Sequence, residues 1–301
     1  MKDGCERFLK SAFKRQLRES SLDKYRLLIK QLQEFTAKEG IVYFSNFRLQ
    51  NVREFRESWK NRGQAARKKM EYLRRLFGYA HESGWVAENY AKKIEYPIIS
   101  APPVLPFFEE DIVKMLAALP QYPKYEENAV RLKALILLLW HSGLRVGDAV
   151  TLDRGRIVDG SIYLRTGKTG TQVFIPLPKH VLDALDACPG SPYPFWTGHS
   201  KRKSCIGDWQ RSLKRLFKLA EIEGGHPHRF RHGFAVRCLL SGLSMEQVAA
   251  LMGHSNVQIT QRVYAQWDVK RQNQLEEAVK KTWNLDLTTA TKPLHQLIVI
   301  R

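Results

Sequence analysis

Cysteine is scarce, with four residues in 301, and Cys5, Cys188, Cys205 and Cys238 lie far apart without a C-x-x-C pair. That spacing argues against a structural zinc site or a disulfide framework and fits reduced thiols in a cytoplasm. Long apolar runs are also missing. The longest, Ala134–Trp140, is flanked by Lys133 and His141 and falls far short of the ~20 residues a membrane span requires. It reads instead as a buried core helix. The opening Met1-Lys2-Asp3-Gly4-Cys5 has no apolar signal region, so the expectation is a cytoplasmic chain with no membrane partner.

Acidic residues are under-represented: 30 Asp+Glu stand against 49 Lys+Arg, a net charge of +19. A chain this basic repels itself unless it meets a polyanion, and nucleic acid is the commonest one. The charge is not confined to one end. Residues 1–100 hold 22 Lys and Arg against 12 Asp and Glu, a net of +10, which leaves +9 for the remainder. Both halves are therefore expected to meet the polyanion.

Several catalytic signatures are absent. There is no G-x-x-x-x-G-K-[ST], and Gly167-Lys168-Thr169-Gly170 lies between two strand-like runs with no helix after it, which excludes a nucleoside triphosphate loop of that type. Neither H-E-x-x-H nor a dense carboxylate cluster occurs, so metal-dependent hydrolysis has no visible ligand set. His226-Pro227-His228 and His232 offer imidazoles one helical turn apart, but no carboxylate or cysteine completes a metal site.

What is present is mainly helical pattern. Ser20-Ser21 is predicted to cap a helix carrying Leu22, Tyr25, Leu28, Ile29, Leu32 and Phe35 at three- and four-residue steps. Asn51 is predicted to cap a second, with Val52, Phe55 and Trp59 on one face. A third is expected from about Gln64 to Ala80, with Ala66, Met70, Leu73 and Phe77 as its apolar stripe. Its other face shows Arg67, Lys68, Arg74 and Arg75, interrupted by Glu71: either a solvated charged face or a phosphate-tracking one. Four prolines between Pro97 and Pro106 then predict an extended linker. Beyond it, helices are expected over Glu109–Leu119, Asn128–Trp140, Ser204–Ala220, Arg229–Leu240, Ser244–Leu251 and about Gln258 to Trp283. The runs 161–165 and 171–175 flank the turn 166–170 as a β-hairpin. The fold class is mainly α with a small β-sheet.

The candidate chemistry is cationic. Arg145 sits in Ser142-Gly143-Leu144-Arg145-Val146-Gly147-Asp148, at the end of the buried helix, where it needs an anion or a structural pair with Asp148. His228-Arg229-Phe230-Arg231-His232 opens a helix, so His228 and Arg231 share a face. Leu251-Met252-Gly253-His254 ends another, and Tyr264 follows ten residues later. Each has a bland reading taken singly.

Taken together, Arg145 in S-G-L-R-V-G-D, a hairpin lysine, His228-x-x-Arg231, Leu-Met-Gly-His254 and Tyr264 in R-V-Y-A-Q-W resemble the tyrosine recombinase (phage integrase) family, in the family's order. His254 and Tyr264 enclose nine residues, one more than the commoner family spacing. The resemblance spans the chain and implies a helical core-binding domain (1–96), a Pro-rich linker (97–106), a catalytic domain (107–285) and a tail (286–301). It implies that Tyr264 attacks phosphorus to give a 3′-phosphotyrosyl bond, which stores the bond energy and removes the need for ATP. Arg145 and Arg231 would hold the charged phosphate by forked donors. His228 would assist as base or donor, Lys168 would protonate the leaving 5′-oxygen, His254 would donate to the phosphate, and Asp148 would hold the arginine region. Arg67, Lys68, Arg74 and Arg75 are candidate DNA contacts. The implied partners are double-stranded DNA and further copies of the chain, as a tetramer on DNA, with no cofactor and no metal. The implied setting is DNA integration or recombination by a mobile element, at the nucleoid. A type IB-like topoisomerase and a non-catalytic DNA-binding protein are the alternatives. A helix after the tyrosine (Asn273–Trp283) able to dock on a neighbouring copy favours the recombinase.

Overall fold

The computed structural model describes residues 1–97, 105–122, 126–190 and 192–267, together with 276, 277, 279 and 280. The chain divides into two compact units, Met1–Pro103 and Val104–Arg301. Most of the Pro-rich stretch and residues 281–301 lie outside the described residues, as does most of the helix expected after Tyr264.

The N-terminal unit is a small helical bundle: α1 (Lys2–Lys14), α2 (Glu19–Lys38), α3 (Leu49–Glu57) and α4 (Gly63–Glu82), closed by a 3₁₀ turn over Tyr90–Lys93. The spacing of α2 and α4 was legible because their apolar stripes are regular. Leu22, Tyr25, Leu28, Ile29 and Leu32 are buried on the first, and Ala66, Met70, Leu73 and Phe77 on the second. The predicted caps differ in detail. α2 begins at Glu19, ahead of Ser20-Ser21, where a carboxylate favours the positive end of the helix dipole. α3 begins two residues ahead of Asn51, whose Oδ1 accepts from the Arg48 backbone N–H at 2.9 Å. α1 was not foreseen, although Cys5, Phe8 and Ala12 recur at helical spacing and are buried. Phe8, Tyr25, Tyr72 and Tyr79 meet edge to face, a geometry that adds to the burial of aromatic area.

The C-terminal unit starts with α5 (Glu109–Ala118) and α6 (Glu126–Ser142), then a short α7 (Val146–Ala149). A three-stranded antiparallel sheet follows: β1 (Ile157–Val158), β2 (Ser161–Arg165) and β3 (Gln172–Pro176), in that order. The hairpin register pairs Ser161 with Pro176, Tyr163 with Phe174 and Arg165 with Gln172. Strict alternation buries Val173 and Ile175 while Phe174 stays exposed, which fixes the face that turns inward. α8 (Lys179–Asp186), α9 (Arg202–Leu219), α10 (His228–Leu240), α11 (Met245–Leu251) and α12 (Val257–Tyr264) complete the unit. β1 and α8 are additions to the predicted elements. No helix among the described residues is long and apolar enough to cross a membrane.

The hydrophobic core centres on α6, where Ala134, Leu135, Ile136, Leu138 and Leu139 have no exposed surface. α6 ends at Ser142 because Gly143 takes φ +60, a left-handed conformation that glycine adopts at no steric cost. A Cβ at Gly143 would lie 2.4 Å from Phe234 Cδ1 on α10. Backbone strain and collision thus act together at the point where the chain leaves the core for Arg145. Gly143→Ala is expected to cost about 2–4 kcal/mol, a fall in melting temperature of roughly 4–16 °C for a unit of this size. Thermal unfolding followed by circular dichroism checks this; an unchanged melt contradicts the packing described.

Candidate active site

Arg231, in the first turn of α10, is 2% exposed. Its Nη1 donates to the Gly143 carbonyl at 2.9 Å, and its Nη2 donates to the Met252 carbonyl. Both acceptors lie at helix ends, just after α6 and α11, where carbonyls lack an intrahelical partner and the dipole favours a cation. One guanidinium therefore ties together the segments that carry Arg145, Arg231 and His254. Burial, and next the neighbouring Arg145, pull its pKa down to about 9, so it stays charged at neutral pH. No carboxylate among the described residues bonds to it. A buried cation beside a second cation is a site that lacks an anion.

Arg145 is the second cation. It forms the N-cap of α7, and its Nη1 is buried with no hydrogen-bond partner among the described residues. Burial lowers its pKa, and the charge of Asp148 works in the opposite direction. The direct pair with Asp148 considered above is not made. Asp148 Oδ1 instead accepts from the Gly167 backbone N–H at 2.9 Å and lies 3.4 Å from Arg202 Nη2. Asp148 thus fastens the hairpin turn through its carboxylate, and reaches Arg145 through its field and through its backbone N–H, which donates to the Arg145 carbonyl at 2.8 Å, not through a side-chain ion pair.

Lys168 occupies the exposed tip of the β2–β3 turn. The turn is anchored on both sides of it. Thr169 Oγ1 donates to the Gly253 carbonyl at 2.9 Å, so the 2.5 Å contact between Thr166 and Thr169 hydroxyls has Thr166 as donor. Gly253 has φ +59, and a Cβ there would lie 2.8 Å from Val173 and 2.9 Å from Thr166. The glycine before His254 is thus what lets the hairpin seat against the α11 end. Lys168 is close enough for its charge to act on His254.

His254 Nδ1 lies 2.8 Å from Thr260 Oγ1. Burial first, then Arg231, Arg145, Lys168 and His232, press its pKa down to about 4, so the ring is neutral at neutral pH. Thr260 sits on α12, whose start is set by Asn256: its Oδ1 accepts from the Gln258 backbone N–H at 2.8 Å. Tyr264 follows Thr260 by four residues and shares its helix face; the two are 0% and 2% exposed. Burial raises the Tyr264 phenol well above its ordinary pKa, and Arg231 opposes that rise.

The Tyr264 hydroxyl meets His232 Nδ1 at 2.7 Å. His228, expected as base or hydrogen-bond donor, stands one ring further away, its centroid 5.0 Å from that of His232. His228 keeps solvent contact, yet the surrounding protein, followed by His232, Arg231, His226 and Arg145, lowers its pKa to about 4. His232 is likewise lowered to about 4, by burial and then His226 and Arg231. Sequence reading considered His232 only as a metal ligand and passed over Thr260. The signal for Thr260 was its i, i+4 relation to Tyr264, and for His232 its place directly after Arg231 on a helix buried all round.

The four candidate DNA contacts on α4 have separate fates. Arg74 is committed to the chain after its own helix: Nε donates to the Ala91 carbonyl at 3.1 Å, Nη2 to the Ile94 carbonyl, and the group stacks 3.8 Å over Tyr96. Lys68 pairs with Glu71. Arg67 and Arg75 are exposed, and Arg67 also lies over Tyr96 at 5.1 Å.

Comparison with known proteins identifies the family and the fold. A model of the phage integrase family matches residues 107–271. A tyrosine recombinase of Thermosipho africanus is 31% identical over 62% of this chain and 66% of its own length. The tyrosine recombinase XerA of Thermococcus kodakarensis is 30% identical over 57% of this chain and 61% of its own. The matched stretch thus spans less than two thirds of either relative. A crystal structure of a lambda integrase (75–356) dimer bound to a COC′ core site superposes with a TM-score of 0.70, covering 89% of this chain and 95% of that one at 19% identity. This likeness is one of fold. With the family model spanning more than half of the chain, from α5 past Tyr264, the protein belongs to the phage integrase family.

Proposed function

We propose that this chain is a site-specific DNA recombinase of the integrase type, cutting and rejoining duplex DNA through a 3′-phosphotyrosyl bond on Tyr264. The observation that carries the reading is the unpartnered, buried Nη1 of Arg145 beside the Arg231 guanidinium, in the electrostatic neighbourhood of the Tyr264 phenol. A phosphodiester supplies the anion that such a recess needs. The relatives' names as tyrosine recombinases, and the integrase dimer seated on its core site, support the same reading.

In the transition state phosphorus carries five oxygens, and charge gathers on the non-bridging ones. Arg145 presents its free donor to that charge, while Arg231, immobilised by two carbonyls, adds a fixed positive field that needs no reorganisation as the reaction proceeds. For His254 to donate to the phosphate, Nε2 must carry the proton; Nδ1 then accepts from the Thr260 hydroxyl. Lys168 protonates the departing 5′-oxygen. The expected division of labour along the chain is a core-binding domain over 1–96, a linker over 97–106, a catalytic domain over 107–285 and a tail over 286–301. On α4, Arg67 and Arg75 are the side chains offered to DNA phosphates. Lys68 joins them by exchanging an exposed ion pair worth little in water, and Arg74 braces the segment that follows. The acting species is a tetramer on double-stranded DNA, in the cytoplasm at the nucleoid.

Tyr264→Phe removes only the nucleophilic oxygen. It is expected to bind DNA within a few-fold of the unaltered protein and to form no covalent adduct with a nicked duplex in EDTA without ATP, where the unaltered protein does. An adduct formed by the variant, or a strict need for Mg²⁺ in strand cleavage by the unaltered protein, overturns the assignment. Lys168→Ala tests the acid. Cleavage of ordinary DNA is expected to fall by about 10²–10⁴-fold, whereas a substrate with sulfur at the scissile 5′-bridging position, a leaving group that needs no proton, is cut almost as fast as by the unaltered protein. Equal slowing of both substrates reduces Lys168 to a phosphate contact.

A further inference from the structure

We propose that His232 is the proton acceptor for Tyr264: its Nδ1 orients the phenolic hydroxyl and takes its proton as the oxygen attacks phosphorus. The proposal rests on the reading of Tyr264 as nucleophile, and assigns to His232 the part of base that the family resemblance offered, as base or donor, to His228.

Geometry carries it. The 2.7 Å contact is the only hydrogen bond made by the Tyr264 hydroxyl among the described residues. The hydroxyl belongs to a side chain 2% exposed, and His232 is 8% exposed. A buried hydroxyl proton left without an acceptor is costly, so the proton points at Nδ1. The neutral ring therefore carries its own proton on Nε2. His228, one ring further out, makes no hydrogen bond to the phenol among the described residues. The groups that act on His232 are His226 and Arg231, with His228 stacked edge to face against it. No carboxylate is bonded to it among the described residues, so the imidazole is a free acceptor.

The position is fixed by the same elements that build the phosphate recess. His232 follows Arg231 on α10, and Arg231 is held at both Nη atoms. Gly233, the next residue, is pressed so closely against the Phe107 carbonyl and Trp140 that a Cβ would lie 2.5 and 2.6 Å from them. The helix cannot rotate away, and the acceptor is aimed by the core. A base placed within hydrogen-bond reach of the proton it removes meets the first requirement for general base catalysis.

The step balances. The Tyr264 O–H bond breaks and its proton passes to His232 Nδ1 as the phenolic oxygen bonds to phosphorus. The bond from phosphorus to the 5′-oxygen breaks, and that oxygen takes a proton from Lys168. Rejoining reverses both transfers, so each group ends as it began.

The test is single-turnover adduct formation on a nicked duplex, with tyrosine or a ring-fluorinated, more acidic tyrosine at position 264. His232→Ala is expected to slow the adduct by about 10²–10⁴-fold, the usual size of acid–base catalysis, while DNA binding stays within a few-fold. The fluorinated phenol needs less help and is expected to recover at least about tenfold of that loss. His232→Asn keeps an acceptor near Nδ1 and preserves packing but cannot hold the proton; it is expected to be slow as well, and serves if the alanine variant fails to fold. An asparagine variant at the unaltered rate, or a loss that fluorination leaves unchanged, overturns the proposal and makes His232 a packing residue. If the unaltered protein forms no adduct, or Tyr264→Phe forms one, the nucleophile reading itself fails and the proposal fails with it.

Discussion

The grip of Arg231 on two backbone carbonyls is the interaction on which the rest of the site depends. Gly143 and Met252 each follow a helix and expose a carbonyl that has lost its intrahelical donor. A lysine offers rotatable donors on one point charge; the planar fork of arginine spans two acceptors at once. Through that fork the end of α6 is held to the end of α11, and with them the segments leading to Arg145 and His254. The cost is a buried cation beside another cation, visible in the downward pull on both guanidinium groups. Under the proposed function a bound phosphodiester would relieve that cost, placing the energy of binding on the atom where charge develops.

A second set of contacts brings Lys168 and Tyr264, the proposed acid and nucleophile, to the recess. Asp148 holds the Gly167 amide, and Thr169 holds the Gly253 carbonyl, so the hairpin that presents Lys168 is fastened at both flanks while the lysine itself stays exposed. α12 carries Thr260 and Tyr264 on one buried face, toward His254 and His232 respectively. Two rings pressed towards neutrality by burial and by cations are thus aligned with two hydroxyls. Neutral imidazole is the form that accepts a proton from one partner while donating from the opposite nitrogen.

Much of the fold was legible in the sequence because it depends on local grammar. The apolar steps of α2 and α4, the unbroken run of α6 and the turn between β2 and β3 were each found within one to three residues of their observed positions. The starts of α2 and α3 were displaced because Arg18 and Arg48 are their N-caps, the first without a side-chain cap and the second bonded back by Asn51 from inside the helix. At the site, the order of residue types brought Arg145, Lys168, Arg231, His254 and Tyr264 to notice. It could not show which partner each side chain takes. Asp148 turns to the hairpin, Arg74 turns to the carbonyls of Ala91 and Ile94, and His232 takes the place beside Tyr264. Those choices are set by packing between segments far apart in sequence, which periodicity does not report.

The measurement that bears most directly on this account is single-turnover adduct formation by Arg231→Lys on a nicked duplex. Lysine keeps the charge but cannot bridge the Gly143 and Met252 carbonyls as a planar fork. If the clasp organises the site, adduct formation falls by about 10²–10³-fold, the size expected when preorganised electrostatic stabilisation of the transition state is lost, while DNA binding changes only a few-fold. A lysine variant that forms the adduct at the unaltered rate shows that positive charge alone suffices, and contradicts the central place given to the clasp.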